Sequence, residues 1–303
     1  MNNKTVILMS TYNGEKFIRE QLNSLLQQTV DVSIEIRDDG SCDGTWDILC
    51  EYAEKNGEIH ISKGENLGYA KSFWTIMQNA PKADFYAFCD QDDVWDKDKL
   101  EIAQKALLKE NRDIPLLYFS DVRVTDEKLN IIKNGMIEEM PVDYAHSLIK
   151  NIAPGCTFVF NNKALEFLKH YDIGKYPIDI HDWTAYRIIA CLGKVVFDKT
   201  SHISYRQHGK NALGANKNRF NEAIAALKRL KDNKNTNSRS RFAQYLEQIY
   251  GENISGERRY ITELMAHYRE NRKLKSEFLK SQAFKFRGIK YLYFKIMVLL
   301  NKV

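Results

Sequence analysis

Three carboxylates stand within four residues at Asp90, Asp92 and Asp93, immediately after the apolar run Phe85-Tyr86-Ala87-Phe88-Cys89. Carboxylates packed this closely repel one another and raise each other's pKa values unless a cation sits among them. Hard oxygen donors of this kind suit Mg²⁺ or Mn²⁺, commonly shared with substrate phosphates. The same stretch, taken alone, also fits a solvated acidic turn that caps the next helix. What favours the metal–phosphate chemistry is the abrupt change from a buried strand to acid.

The elements before it must place that turn. Val6-Ile7-Leu8-Met9 reads as a buried strand ending in Ser10-Thr11-Tyr12-Asn13-Gly14. Phe17, Ile18, Leu22, Leu25 and Leu26 recur at helical spacing. Val32 to Arg37 is a second strand, ending in Asp38-Asp39-Gly40-Ser41, and a helix opens at Asp43-Gly44-Thr45. Ile59 to Ser62 is a third strand, and Asn66-Leu67-Gly68 leads into a helix bearing Phe73, Ile76 and Met77. Alternation of strand and helix argues for an α/β fold with a mainly parallel sheet flanked by helices. In such sheets ligands bind beyond the carboxyl ends of the strands, where Thr11, Tyr12, Asn13, Asp38, Asp39, Asn66, Asp90 and Asp92 all fall.

Further along, a helix is expected over 97–110, a strand at Leu116 to Ser120, and a β-rich or irregular excursion over 122–142. Pro154-Gly155-Cys156 turns into a strand from Thr157 to Phe160. Leu165 and Leu168 mark a helix. Ile180-His181-Asp182-Trp183 begins another that runs to about Leu192. Short strands at Lys194 to Asp198 and His202 to Arg206 lead into Gln207-His208-Gly209. Composition shifts near Asn216, giving an expected division into a catalytic domain over 1–215 and a basic helical extension over 216–303, with helices near 219–231, 240–250 and 257–280.

The 303 residues carry 44% hydrophobic and 28% charged side chains and a net charge of +5, the balance of a globular protein. Five scattered cysteines without Cys-x-x-Cys spacing, and an N-terminus without a signal-type apolar stretch, lead to an expectation of reduced thiols and a cytoplasmic location. No segment has the roughly 18 uninterrupted apolar residues that a membrane span needs.

Six ordered pieces resemble glycosyltransferase family 2 enzymes of the GT-A fold. They are Ile7 to Gly14, Arg37 to Thr45, Asn66-Leu67-Gly68, Asp90 to Trp95, His181-Asp182-Trp183 and Tyr205 to Gly209. The last pieces resemble the bacterial rhamnosyltransferase-like group. The resemblance spans residues 5 to about 211 and implies inverting transfer of a sugar from a nucleotide-diphosphate donor to a saccharide or polyprenyl-linked acceptor hydroxyl. L-rhamnose from dTDP-L-rhamnose is the first expectation, and UDP-hexoses are the alternative. It implies Mn²⁺ or Mg²⁺ at Asp92, with His208 returning to the metal or diphosphate. Nucleotide-sugar contacts would come from Thr11, Tyr12, Asn13, Asp39, Asn66, Lys71, Asp90 and Gln91. Within that set, Asp39 would accept a pyrimidine N3–H, although an Asx turn with Gly40-Ser41 is its other reading. Lys71 is equally a solvated helix residue.

Inversion needs a base on the face opposite the leaving group, and the resemblance gives that role to Asp182. By itself Asp182 reads equally as a helix-capping or first-turn acid. His181, Trp183 and Gly155 would stand on the acceptor side.

Residues 284–303 mix Lys and Arg with Phe, Tyr, Leu and Ile, which fits a segment lying on the inner face of an anionic membrane or an amphipathic helix packed on protein. Three rival functions fit less well. A sugar nucleotidyltransferase would need a basic Gly-rich loop that Ser10 to Gly14 lacks. A nucleic-acid binder would set three carboxylates against phosphates. An inactive scaffold would show broken motifs.

Overall fold

The computed structural model describes residues 3–137, 140–178, 180–208 and 237–303. The chain forms two compact units, one of residues 1–137 and 153–208, the other of 138–152 and 209–303. The expected boundary at 215/216 and the expected helix near 219–231 lie outside the described residues.

The first unit is organised on one mixed sheet. Its opening strands β1 (Thr5–Thr11), β2 (Val32–Asp38), β3 (Ile59–Lys63) and β4 (Phe85–Cys89) are mutually parallel in the order β3-β2-β1-β4. The helices α1 (Ile18–Leu26), α2 (Thr45–Lys55) and α3 (Tyr69–Asn79) are the crossovers. Beyond β4 the sheet continues through β8 (Val159–Asn161), β6 (Leu116–Thr125) and β9 (Lys194–Arg206) to the short β5 (Val94–Trp95), while β7 (Ile131–Asn134) pairs with β6. β4–β8, β8–β6, β5–β9 and β6–β7 are antiparallel, and β6–β9 is parallel.

Strand alternation sorts the core into two faces. Ile7, Met9, Phe85, Ala87 and Cys89 pack with Ile18, Leu22, Leu25, Ile48, Leu49 and, from α4 (Lys99–Leu107), Leu100, Ala103 and Leu107. On the other face Phe88 meets Phe73 and Phe160, and Phe119 meets Tyr186. There α6 (Asn162–Lys169) and α7 (His181–Leu192) cover the sheet with α3. β1 and β4 are covered on both faces, which is why they read as unbroken apolar runs. Their register brings Thr11 opposite Asp38 and Asp38 opposite Lys63, so the polar strand ends share one edge.

Two expectations change. The strands expected at 194–198 and 202–206 are one element, β9; it pairs with β6 across irregularities at Ser120/Asp121 and Asp121/Arg123 that absorb the polar Thr200-Ser201 step. β6 itself runs to Thr125, and part of the irregular excursion is the β6–β7 ladder.

The second unit is helical: α5 (Tyr144–Ile149), α8 (Ser238–Tyr250), α9 (Gly256–His267), α10 (Arg272–Lys280) and α11 (Ile289–Leu299). The single helix expected over 257–280 is two, because Asn271 caps a new start by accepting the Leu274 N–H at 2.9 Å. Its core is aromatic: Tyr268 stacks on Phe278 (5.1 Å between ring centres), which meets Phe284 (4.5 Å).

Candidate active site

The acidic turn links β4 to β5, and burial dominates its chemistry. Asp93 is fully enclosed; one oxygen accepts the Arg206 N–H at 3.0 Å, and the Cys156 thiol is its other neighbour. Burial, then the charges of Asp92 and Asp90, holds its carboxyl well above the usual range. Asp90 is pushed up to about 8, first by burial and then by the negative charges of Asp92 and Asp182. Asp182 therefore lies close enough to the acidic turn for its charge to be felt there. Asp92 Oδ2 stands 2.7 Å from His208 Nε2 across 116 positions of sequence, so those two expected metal ligands are brought together.

Acidic groups gathered this closely suit a cation among them. Asp90, Asp93 and Cys156 also present ligand atoms within 4.8 Å of one another. Cys156, however, is buried and its thiol is pushed well above its ordinary pKa, so it stays protonated and is a poor donor for a hard ion. The donors that fit Mg²⁺ or Mn²⁺ are Asp92 and His208, with Asp90 beside them.

Asp182 lies in the first turn of α7, whose N-cap is Ile180, so it is a first-turn acid and not the cap. It is mostly buried, and its oxygens accept the N–H groups of Gly155 (3.0 Å) and Trp183 (2.6 Å). A Cβ on Gly155 would sit 2.8 Å from the Asp182 Cβ, so only glycine allows this approach. Gly155→Ala is accordingly expected to displace the Asp182 carboxylate and, given the base role that the resemblance implies for it, to lower turnover by about 10²-fold, the cost of misplacing a reacting group by about an ångström. Turnover measured beside the melting temperature would separate this from simple unfolding.

The strand-end rim is more self-occupied than expected. Thr11, expected to line a base, is closed off from solvent and bonds Asp38 (3.2 Å). Asn13 accepts the Cys42 N–H (2.8 Å). Gln91 grips the Tyr12 backbone at both ends, accepting its N–H (2.8 Å) and donating to its carbonyl (3.0 Å), so its amide shapes the loop instead of facing outward. Asp39 accepts from the Arg37 guanidinium and from the N–H groups of Leu67 and Gly68, both at 2.9 Å. Asp38 braces the turn as well, accepting the Ser41 N–H three residues on at 3.1 Å. The chain turns at Gly40, whose φ of +82° suits glycine. Tyr12, Asn66 and Lys71 are the exposed members of the expected set.

On the acceptor side, His181 is sandwiched by aromatics: its ring stacks on Phe73 at 4.0 Å and meets Phe88 edge-on at 5.1 Å. Neither ring nitrogen has a partner, and burial lowers its pKa to about 3, so it packs as a neutral ring instead of contacting an acceptor. Trp183 is half-buried with the Arg187 guanidinium 4.3 Å over its ring.

Three cations went unnoticed in the sequence. Arg37 ties Asp39 to Ser72 Oγ (3.0 Å) and the Glu65 carbonyl (2.8 Å). Arg206 is buried, donates to the Asp92 carbonyl (2.8 Å) and covers Phe17 (4.5 Å). Lys99 is fully buried with its Nζ 3.5 Å over the Trp95 ring and no hydrogen-bond partner; burial lowers its pKa to about 8 against the opposing pull of Cys89, Cys156 and Asp93. Arg37 and Arg206 carried a signal, one beside Asp38-Asp39 and the other two residues before His208.

The profile of the Glycosyl transferase family 2 matches residues 6–166. The chain belongs to this family. The protein is a glycosyltransferase. It is 32% identical over 221 residues to the dTDP-rhamnosyl transferase RfbG of Shigella flexneri, covering 69% of this chain and 74% of that protein. It is 28% identical over 163 residues to the UDP-Glc:alpha-D-GlcNAc-diphosphoundecaprenol beta-1,3-glucosyltransferase WfgD of Escherichia coli, covering 52% of this chain and 60% of that one. The fold matches S. aureus TarS 1-349, solved in complex with UDP-GlcNAc, with a TM-score of 0.58 at 16% identity, over 99% of this chain and 89% of that one. The architecture is therefore GT-A, as the motif resemblance implied.

Proposed function

We propose that this family 2 enzyme transfers L-rhamnose from dTDP-L-rhamnose, with inversion, to a hydroxyl of a saccharide or lipid-linked saccharide in bacterial cell-surface polysaccharide synthesis. The observation that carries the reading is the meeting of Asp182 with the acidic turn: a carboxylate from α7 electrostatically coupled to Asp90, beside the Asp92–His208 pair. Asp182 takes the proton of the attacking hydroxyl. Gly155 N–H and Trp183 N–H hold that carboxylate in place. Asp92 and His208 are the residues that would hold Mn²⁺ or Mg²⁺, and such an ion would supply positive charge to offset that of a departing diphosphate. Asp39, fixed by Arg37, keeps the base-side loop in shape, and Tyr12, Asn66 and Lys71 supply the exposed contacts to the nucleotide. The cytoplasmic face of the membrane, where lipid-linked acceptors are presented, is the proposed place of action. The rhamnosyl choice rests on the similarity to RfbG.

A UDP-hexose donor is the second reading, supported by the likeness to WfgD and to TarS bound to UDP-GlcNAc. A panel of dTDP-, UDP- and GDP-sugars, with Mn²⁺, Mg²⁺ or EDTA, decides between them through donor binding and slow donor hydrolysis. dTDP-L-rhamnose is expected to bind at least about 10-fold more tightly than UDP-glucose, a difference of about 1.4 kcal/mol, and only with metal. Preferential binding of a UDP-sugar would overturn the rhamnosyl assignment.

A further inference from the structure

Helix α11 is apolar on two faces. Phe294, Met297 and Val298 are buried in the helical unit. The opposite stripe, Leu292, Ile296, Leu299 and Leu300, recurs at helical spacing and is 58%, 37%, 55% and 51% exposed. Scattered exposed leucines are ordinary, but three such side chains on one face of an eleven-residue helix, continued by Leu300 at its C-cap, form a surface. The helix is well anchored behind that surface. Lys275 donates to the Leu299 carbonyl at 2.7 Å and to Asn301 Oδ1 at 3.0 Å, satisfying the helix C-terminus. The stripe is therefore presented on a fixed support.

Charge indicates the occupant. Residues 278–303 contain six Lys or Arg (Lys280, Lys285, Arg287, Lys290, Lys295, Lys302) and no Asp or Glu. Lys280, Lys285, Arg287 and Lys290 are exposed. Lys295 lies one helical step from Leu299 and covers the Tyr291 ring at 5.2 Å. An apolar stripe bordered by cations, on a stretch that carries no acid of its own in sequence, complements a surface with apolar depth and anionic headgroups. A protein partner matching it would need a long acidic rim around an apolar groove. A second copy of this segment would bring like charges together. At eleven residues α11 is too short to cross a bilayer, and among the described residues no helix is long and apolar enough to do so.

We propose that Leu292, Ile296, Leu299 and Leu300 form a docking surface that inserts into one leaflet of an anionic lipid bilayer, with Lys285, Arg287, Lys290 and Lys295 on the headgroups. This surface lies in the second unit and does not depend on the identity of the sugar or on the base.

The test uses the full chain and co-sedimentation with vesicles of phosphatidylcholine alone or enriched in phosphatidylglycerol. The wild type is expected to bind the anionic vesicles, and added salt to weaken binding. The combined Leu292→Ser, Ile296→Ser, Leu299→Ser, Leu300→Ser variant is expected to bind at least about 10-fold more weakly, with its melting temperature unchanged because these side chains are exposed. The combined Lys285→Gln, Arg287→Gln, Lys290→Gln, Lys295→Gln variant is expected to lose the preference for anionic over neutral vesicles while keeping its fold. Undiminished vesicle binding by the serine variant overturns the proposal. So does a wild type that ignores vesicles, or a concentration-dependent dimer that the serine substitutions dissolve. Donor hydrolysis assayed without vesicles reports on the catalytic unit separately, so failure of docking and failure of the transfer reading give different results.

Discussion

Asp182→Asn is expected to keep donor binding within a few-fold and to lose about 10³-fold in transfer rate, the contribution of a well-placed general base. Asparagine matches aspartate in size, so α7 and the adjoining Gly155 turn need not move. What changes is the chemistry. An amide does not take a proton, and its nitrogen does not accept the N–H bond that one of Gly155 or Trp183 now donates to a carboxylate oxygen. Leaving one such N–H unpaired costs about 1–3 kcal/mol, so a modest fall in melting temperature is expected beside the large fall in rate. The two effects separate by measurement. A residue that only supports the fold would lose stability and rate together and leave the shape of the pH profile intact. Loss of the base removes the acidic limb of the transfer profile while metal-dependent donor binding persists. If the variant still transfers sugar within about 10-fold of the wild type, Asp182 is not the base.

How much of this site could be read in the chain depends on how local the physics is. β1 and β4 were legible because both of their faces are covered, which produces unbroken apolar runs, and each run ends in polar residues at one edge of the sheet. The clustering of Thr11, Asp38 and Asp90 near that edge followed from strand order alone. Which of those side chains face outward did not follow. Thr11, Asn13, Gln91 and Asp39 are hydrogen-bonded within the chain, three of them to partners 27, 29 and 79 positions away, and nothing in their local spacing reveals it. Lys99 and Arg206 were missed for the same reason. Charged residues are usually at the surface, and their burial here is set by Trp95, Phe17 and the acidic turn, which come together only in the folded chain. His181 shows the converse. Its neighbour Asp182 gave it a chemical appearance, but Phe73 and Phe88, from two other elements, enclose it. The split of 257–280 at Asn271 was present in the sequence as a capping residue, and the apolar spacing on either side obscured it.

Asp92→Asn is expected to abolish metal-dependent donor binding, weakening metal affinity by at least about 10²-fold, the upper range for residues that merely support metal ligands. Asp92 is the carboxylate of the turn that meets His208, and the neighbouring acids are poor substitutes: Asp93 is engaged by the Arg206 N–H, and Asp90 holds its proton up to about pH 8. The protonation of Asp90 supplies an independent check. Its folded pKa is raised above the ordinary carboxylate value of about 4, so the metal-free folded protein binds the extra proton between about pH 4 and about pH 8. Stability from this source is full below the ordinary value and is lost as pH rises through about 8. Asp93, raised for the same reason, acts in the same direction. Lys99 acts oppositely, its lowered folded pKa adding stability as pH rises from about 8 towards 10.5, above the window that matters here. The metal-free protein should therefore lose melting temperature from pH 6 to about pH 8, and Asp90→Asn should flatten that fall. Mg²⁺ should raise the melting temperature more at the upper end of this window, where the carboxylates it neutralises carry their charge. Asp92→Asn should keep much of the pH dependence, because desolvation, the largest cause of the raised values of Asp90 and Asp93, does not come from Asp92, while losing the response to Mg²⁺. A Mg²⁺ response equal to that of the wild type in Asp92→Asn would move the metal away from this turn, and with it the account of how the departing diphosphate is neutralised.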